Sequence, residues 1–438
     1  MNAAGQPESA PALAERWSAA LAAGPSAAEP GWLRELRHAA VGYFRAGGLP
    51  HRKVEAWKYT PLRMLEGFEV RPAAAGAEPM PAWPPSVFGA GPSVDFVGGQ
   101  LACALPELPS GVTILSLADG ISRFEDRLQP LFENVPLNGA TRAFAALNTA
   151  CAEQGLVVHV AEGVDAGPLV IRWSLAGGRQ AALSHPRLIL LLDENARLSL
   201  QEHYQSAAGL PGGLNVMMQV ELGAGARLDH VRVQAENELA VVLTSTRVQQ
   251  ARKSRYDYRG FDLGAGLARH EINVLLSGEG ASADVAGAFL VDGRSHVDNH
   301  VNSEHGAPDC SSEQFFRGVL GGRSRGVFNG RALIRPGADG SRVRQSNANL
   351  LLSPLAEIDT KPELEIYADE VEASHGATVG QLDEVAVFYL RSRGLPEAAA
   401  RRLLITAFCR AVSERLADRG LSERIATLLD GAMPGEGD

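Results

Sequence analysis

The stretch RLILLLDENARLSLQEHY, residues 187–204, joins two leucine-containing runs through a short polar turn. Apolar runs of this length, bounded by Asp and Asn, are typical of β-strands that are separated by a tight turn. Similar short runs, separated by Gly, Asp or Asn, recur from about residue 93 to residue 388 without an intervening helical pattern. The stretch therefore predicts one unit of a long all-β region.

A weak internal repeat accompanies these runs. The tetrapeptides that begin at Ala166, Ala196 and Ala226 (AGPL, ARLS and ARLD) lie thirty residues apart, each between a turn and a strand. Repeats of this kind favour a β-solenoid, in which each turn covers the strand edges of its neighbour and buries alternate residues. A pair of large β-sandwiches is the alternative fold.

Helical patterns flank the β-rich region and divide the sequence into three parts. Residues 1–92 are expected to form an N-terminal helical domain, in which Gly47-Gly48 ends the second helix. A Pro/Ala/Gly-rich connector, residues 72–92, follows it. Residues 93–388 are expected to form the mainly β core, and residues 389–438 a C-terminal helical domain.

The C-terminal domain carries the clearest helical signal. Pro396 and Glu397 suit a first helical turn, and an apolar stripe runs from Ala400 to Leu416 before Gly420 stops it. A second short helix, SERIATLLD, follows. The stripe either packs on the solenoid or docks another protein, and the pattern alone leaves both possibilities open.

Bulk composition excludes several classes of function. The 438 residues carry a formal net charge of −10, which argues against nucleic acid or an anionic membrane as the main partner. We expect neither a secretion signal nor a membrane span, because the start is not basic and no stretch approaches 18 uncharged apolar residues. Four scattered cysteines without a CxxC pair fit a reducing cytoplasm. The sequence lacks GxxxxGK[ST], so we do not expect this chain to hydrolyse ATP itself.

The richest polar cluster lies in DGRSHVDNHVNSEHGAPDC, residues 292–310. If residues 296–304 form a strand, alternate side chains share one face, and that row could bind zinc or iron through imidazole and carboxylate groups. The alternative is a solvated polar ladder. The row consists of His296, Asp298, His300, Asn302 and Glu304. Cys310, just beyond it, could supply an auxiliary thiol.

His375 stands among small residues in EASHGATVG, residues 372–380. Its local partners are few, with Glu372 three positions before it and Asp383 eight after it. One histidine cannot assemble a cluster site without further ligands. His375 is therefore either a histidine at the end of a strand or a ligand whose site a second chain completes.

The segments GVFNG (326–330), PEL (362–364), SHGAT (374–378) and FYL (388–390) occur in this order in the C-terminal half. Over roughly residues 290–415, this half resembles the SufB/SufD family of iron–sulfur cluster assembly proteins. Two upstream stretches also resemble the family: RKVEAWKYT, residues 52–60, and HPRLILLLDENARLSLQEHY, residues 185–204. The Trp-Lys-Tyr motif of the first stretch and SHGAT favour the SufD branch over SufB. The C-terminal match also includes Arg393-Gly394, together with Gln345, Asn347 and Asn349.

The resemblance implies a right-handed parallel β-helix core with helical termini and a non-catalytic scaffold role in cluster assembly. It also implies that the β-helix pairs with a SufB-like subunit and that the C-terminal helices dock a SufC-like ABC ATPase, which would bind the ATP. His375 would lie at the interface, opposite a SufB cysteine, beside a transient iron–sulfur cluster. No cofactor would be held stably by this chain alone. Ala373 stands where relatives often carry cysteine, so no thiol adjoins His375.

Docking of the ATPase is assigned to the helix that follows Pro396, through Leu403, Leu404 and Phe408. Two other interpretations stay open. One is a SufB-like subunit, or a homodimer in place of both subunits, that carries flavin or a stable cluster. The other is a β-helix enzyme that acts on polysaccharide through carboxylates on a solenoid face. We expect a cytoplasmic protein that could form homodimers when isolated.

Overall fold

The structure, a computed structural model, describes residues 10–21, 29–70, 86–89, 91–137, 139–175, 181–206 and 208–433. Its centre is a β-solenoid of about eight turns with helices at both termini. This confirms the mainly β solenoid and not the pair of sandwiches. The connector predicted for residues 72–92 lies outside the described residues, apart from 86–89, 91 and 92.

Two sheets face each other along the solenoid. Each turn gives one strand to sheet 1 and the next strand to sheet 2, so neighbours within a sheet come from successive turns and pair in parallel. Only the β2–β3 and β4–β5 pairs are antiparallel among the strand pairs of the described residues. Sheet 1 comprises β1 (Glu69–Val70), β4 (Val112–Ser116), β5 (Gly155–Val160), β7 (Ala182–Ser184), β8 (Arg187–Leu192), β10 (Gly212–Leu222), β12 (Ala240–Gln250), β14 (Leu267–Leu276), β16 (His296–His305), β18 (Arg325–Ile334) and β20 (Glu357–Ile366). Sheet 2 comprises β2 (Ser93–Val97), β3 (Gln100–Leu101), β6 (Asp165–Ser174), β9 (Arg197–Tyr204), β11 (Arg227–Gln234), β13 (Arg255–Asp262), β15 (Ser282–Val291), β17 (Ser311–Leu320), β19 (Arg342–Leu351) and β21 (Glu372–Gly380).

The turns between the two sheets explain the repeat in the sequence. In the loops that lead from sheet 1 to sheet 2, from β8–β9 to β18–β19, a residue with a positive φ donates its N–H to a carbonyl of the next solenoid turn; Asn195 (φ 57°) and Gly225 (φ 67°) are two examples. Asn and Gly adopt this left-handed backbone most readily. The next residue, Ala196 or Ala226, is buried and stacks in register with its counterpart. Ala166 is not part of this column: Asp165 is in register with Arg197, so Val164 takes the position of Ala196, and Ala166 lies within β6 at a β-bulge.

Three helices interrupt the region in which the sequence predicted none. They are α3 (Leu117–Arg123), α4 (Glu125–Glu133) and α5 (Ala143–Cys151). The expectation was wrong because these helices are short and α5 is buried on nearly all sides, which removes the amphipathic stripe that reveals a helix. They cover the first turns of the solenoid, where Leu128 and Phe132 pack with Ile189.

Helices also lie at both ends of the chain. The N-terminal ones are α1 (Ala10–Ala20) and α2 (Gly31–Gly47), and Gly48 caps α2 at φ 65°, as the sequence predicts. The C-terminal ones are α6 (Glu384–Ser392), α7 (Glu397–Ser413) and α8 (Arg419–Gly431). The stop predicted at Gly420 was wrong: α7 ends at Ser413, and Gly420 lies in the first turn of α8, which Asp418 caps.

Candidate functional site

The C-terminal end of the solenoid is open to solvent. β20 and β21 are the terminal strands of sheets 1 and 2, so each has a neighbouring strand on one side only within the part of the chain that the structure describes. All nine residues of β21 are exposed. An exposed strand edge presents unpaired N–H and C=O groups that can pair with another chain.

His375 lies on this open edge. It is in register with Gln345 of β19, which is in turn in register with Gln314 of β17, so the three side chains occupy one column on the interior face of sheet 2. Gln345 donates to Gln314 at 3.1 Å, and Gln314 reaches across the interior to Ser303 Oγ of sheet 1 at 3.2 Å. The His375 imidazole is therefore the exposed end of a buried polar column.

His375 can offer one imidazole ligand at this edge. Among the described residues, no group of three or more His, Cys, Asp or Glu side chains could hold a metal ion. That a second chain completes a site around His375 stays a prediction.

Residues 296–305 form strand β16, as the sequence expected, and the polar row lies on its outer face. Its first part is buried: Thr60 donates to Asp298 at 2.5 Å, and Arg269 and His300 also bind Asp298. Burial alone would raise the pKa of Asp298, but Arg269 and His300 hold it well below its usual range. Burial lowers the pKa of His296. Asp298 thus neutralises a buried guanidinium.

The outer part of the row also has protein partners. Asn302 donates to Asn273 at 3.0 Å, and Glu304 pairs with Arg335. The row therefore has the character of a satisfied polar ladder, and the structure supplies no third ligand for a metal at His296 and His300 within the described residues.

Residues 52–60 pack over this row and explain its burial. A 3₁₀ helix, Glu55–Trp57, places the Trp57 ring 3.8 Å from the Arg269 guanidinium and 5.2 Å from the Phe144 ring. Glu55 reaches Lys361 of β20 at 3.2 Å. The sequence identified this segment by resemblance but did not foresee that it covers the polar row, since the two lie more than two hundred residues apart.

Cys310 is fully buried. It belongs to the column of small buried residues that contains Ala196 and Ala226. It occupies the position of Ala281 in the preceding turn, since Ser282 and Ser311 are register partners. Burial raises the pKa of its thiol, and the thiolate is the reactive form. Cys310 therefore fills the core, which argues against an auxiliary thiol at the surface.

The C-terminal helices pack against the outer face of sheet 2. In α7, Ile405, Cys409 and Val412 are buried against the strands, while Leu404 and Phe408 are partly buried in the same cluster. Leu403 is 49% exposed, and Pro396 caps the start of the helix. Of the three apolar side chains assigned to docking, Leu403 is the one that faces solvent.

Helix α6 presents an apolar surface that the sequence analysis did not single out. Val385, Phe388 and Tyr389 are 75%, 71% and 55% exposed, whereas Val387 is buried. The apolar run EVAVFYL was visible in the sequence, but its pattern could not tell which side would be covered. This surface follows directly after β21 and so lies next to the open end along the chain.

Residues 175–408 match the family described as "SUF system FeS cluster assembly, SufBD core domain". The chain is 29% identical to iron–sulfur cluster assembly protein SufD of Escherichia coli, over 89% of this chain and 90% of that protein. It is 27% identical to an iron–sulfur cluster assembly SufBD family protein of Synechocystis, over 91% of both chains. It is 24% identical to "Protein ABCI7, chloroplastic" of Arabidopsis thaliana, over 96% of this chain and 90% of that protein.

None of the helices in the described residues is long and apolar enough to cross a membrane. The family match covers more than half of the sequence, including most of the solenoid and most of α7. It also includes the open end with His375. The chain belongs to the SufBD family of iron–sulfur cluster assembly proteins.

Proposed function

We propose that this chain is a SufD-like, non-catalytic scaffold subunit that pairs with a SufB-like subunit and a SufC-like ABC ATPase during cluster assembly in the cytoplasm. The observation that carries the proposal is the exposed terminal turn with His375 on its edge. The similarity to proteins named SufD supports it.

Pairing through the end of the solenoid has a simple physical basis. The strands β20 and β21 can hydrogen-bond to strands of a partner that continues both sheets. Exposed apolar side chains adjoin the edge, including Val379, Ile366 and Tyr367, and their burial would add about 25 cal/mol for each Å² of apolar surface removed from water. A SufB-like solenoid is the partner of matching architecture.

The interface then offers a place for a nascent cluster as cargo. His375 supplies one imidazole, and thiolate ligands come from the SufB-like partner. A ligand set divided between two chains holds iron only while the chains stay together, so separation would release the cluster. The chain itself holds no cofactor stably in this proposal.

ATP enters through the SufC-like partner, because the sequence lacks a phosphate-binding GxxxxGK[ST] loop. We assign its docking to the C-terminal helices, with the exposed Leu403 of α7 as the main apolar contact and Pro396 at the helix start. Leu404 and Phe408 would act mainly by holding α7 on the solenoid.

The same open end could self-associate when the SufB-like subunit is absent. The deciding experiment is anaerobic co-expression with SufB-like and SufC-like subunits, followed by light scattering and iron and sulfide analysis. A complex that contains all three chains, together with a colourless isolated chain, is the expected result. A stable cluster or flavin in the isolated chain would instead favour the SufB-like interpretation, and failure to bind either partner would contradict the proposal.

A further inference from the structure

A groove of about 900 Å³ runs along the outer face of sheet 1, away from the strand edge that carries His375. Its floor is formed by the sheet 1 strands β10, β12, β14, β16, β18 and β20. Its lining also includes Glu55 of the 3₁₀ helix and Arg142, which precedes α5. The size is in the usual range for a site that takes a small molecule.

The groove floor carries a row of amide and guanidinium groups. Gln219, Arg247, Asn273, Asn302 and Arg331 are register partners in five successive strands. Neighbouring strands lie about 4.8 Å apart, so the row places polar groups at regular intervals, although Gln219 already donates to the Leu131 carbonyl and Asn302 to Asn273. Such a row suits an oxygen-rich ligand.

The carboxylates of the groove already have cationic partners. Glu271 accepts from Arg269 at 2.6 Å, and Glu363 pairs with Lys361 at 2.7 Å. Glu304 pairs with Arg335. Arg331 on the floor is bound at 2.7 and 2.9 Å by Glu365, which lies outside the groove lining.

Two guanidinium groups remain without such a partner. Within the described residues, neither Arg142 nor Arg247 forms an ion pair or a hydrogen bond through its side chain. Arg247 is half-buried; burial and the positive charge of Arg142 lower its pKa, while the charges of Glu271 and Glu304 oppose this shift. Two neighbouring guanidinium groups that are partly desolvated and have no hydrogen-bonded anion repel each other, which is unfavourable.

We propose that the groove binds a small oxyanion, the phosphate or carboxylate group of a metabolite-sized molecule, between Arg142 and Arg247. Guanidinium groups match both anions through paired N–H donors. Asn273 and Asn302 can contact the rest of the ligand from the floor. The site is formed wholly by this chain, so it does not depend on the proposed pairing with a SufB-like subunit.

The test is calorimetric titration of the full-length chain with inorganic phosphate, pyrophosphate and malonate at low chloride. We expect binding of at least one of them to the wild type and at least tenfold weaker binding to Arg247→Gln and to Arg142→Gln. Arg227→Gln is the matched control, because Arg227 is exposed on sheet 2 and its loss changes the net charge equally. A preference for the phosphates or for malonate identifies the ligand class.

Thermal unfolding gives an independent readout. Without an added anion, Arg247→Gln should unfold at the same temperature as the wild type or higher, since an unpaired charge is removed. The bound anion should raise the melting temperature of the wild type and of Arg227→Gln, and leave that of Arg247→Gln unchanged. If none of the three anions binds the wild type, or if Arg227→Gln weakens binding as much as Arg247→Gln, the proposal is wrong. Should Arg247→Gln fail to fold, Arg142→Gln in the groove lining decides by the same criteria.

Discussion

Gln345 and His375 are register partners in adjacent parallel strands, yet Gln345 is buried and His375 is exposed. Both side chains are polar, so the difference does not come from their hydrophobicity. It arises because β21 covers Gln345, whereas β21 is itself the last strand of sheet 2 in the described part of the chain. A partner that continues the solenoid would cover His375 in the same way.

His375→Ala should leave the complex with the SufB-like and SufC-like subunits assembled and reduce its iron and sulfide content several-fold. The reason is that the substitution removes one ligand and no buried contact. Iron and sulfide analysis of the anaerobically purified complex measures it. His51→Ala, at another exposed histidine, is the control and should retain the cluster. A normal cluster in His375→Ala would reduce His375 to a residue at the end of a strand.

Ala377→Pro should weaken pairing with the SufB-like subunit while the isolated chain stays folded. The Glu372 N–H donates inward to Ser341, and backbone groups alternate along a strand, so the Ala377 N–H points outward. Proline removes that donor at an edge position where it is tolerated. Ala377→Ser keeps the donor and is the control. Co-purification measures pairing, and equal recovery with both variants would argue against pairing through this edge.

Leu403→Asp should abolish binding of the SufC-like ATPase without changing the stability of the chain, because Leu403 is exposed. Phe408→Asp should also lower the stability, since Phe408 packs in the cluster between α7 and sheet 2 and lies 5.7 Å from the Arg317 guanidinium. Pull-down and urea unfolding separate the two effects. Retained binding by Leu403→Asp would exclude this residue from the docking surface.

Trp57→Ala should lower the free energy of unfolding by about 3–5 kcal/mol, the usual cost of truncating a buried aromatic residue. Trp57 is buried between Phe144 and Arg269, so truncation also exposes the Arg269–Asp298 pair. Trp57→Phe keeps an aromatic face and should cost less. Urea unfolding at neutral pH measures both variants. Equal stability of all three proteins would show that residues 52–60 do not hold this face.

Stability should fall with acid below about pH 6.5, with His185 as one contributor. Burial lowers the pKa of His185 to about 3, so between about pH 6.5 and pH 3 the unfolded chain binds a proton that the folded chain does not. The expected slope from this group is about 1.4 kcal/mol per pH unit, with stability higher at higher pH. Urea unfolding from pH 7 to pH 4 measures it. His185→Asn should show a shallower slope, and an unchanged slope would contradict the assignment.

Local signals in the sequence were enough to predict the architecture. The sequence repeats because successive turns of the solenoid stack on one another and meet the same steric requirements. The runs around residues 187–204 and the repeated Ala196 and Ala226 show this period. Pro396 and the stripe after it likewise predicted α7, since helix start signals and the three- to four-residue period are local. The end of α7 was misplaced, because the turn before Asp418 carries no glycine or proline.

The tertiary structure decided which polar residues are free to react. The sequence offered His296 and His300 as candidate metal ligands. In the structure, residues 52–60 cover this part of the strand, and Asp298 between them pairs with Arg269 and His300. Cys310 looked available and is buried in a column of small residues. Phe408 is partly buried because α7 packs on a distant part of the chain. Arg142 and Arg247 likewise meet at the groove only through folding. Burial and charge pairing depend on such contacts between distant segments. The sequence determined the solenoid and its flanking helices, because their periods are local, whereas the short helices α3 to α5 and the side chains left for a partner were decided by packing.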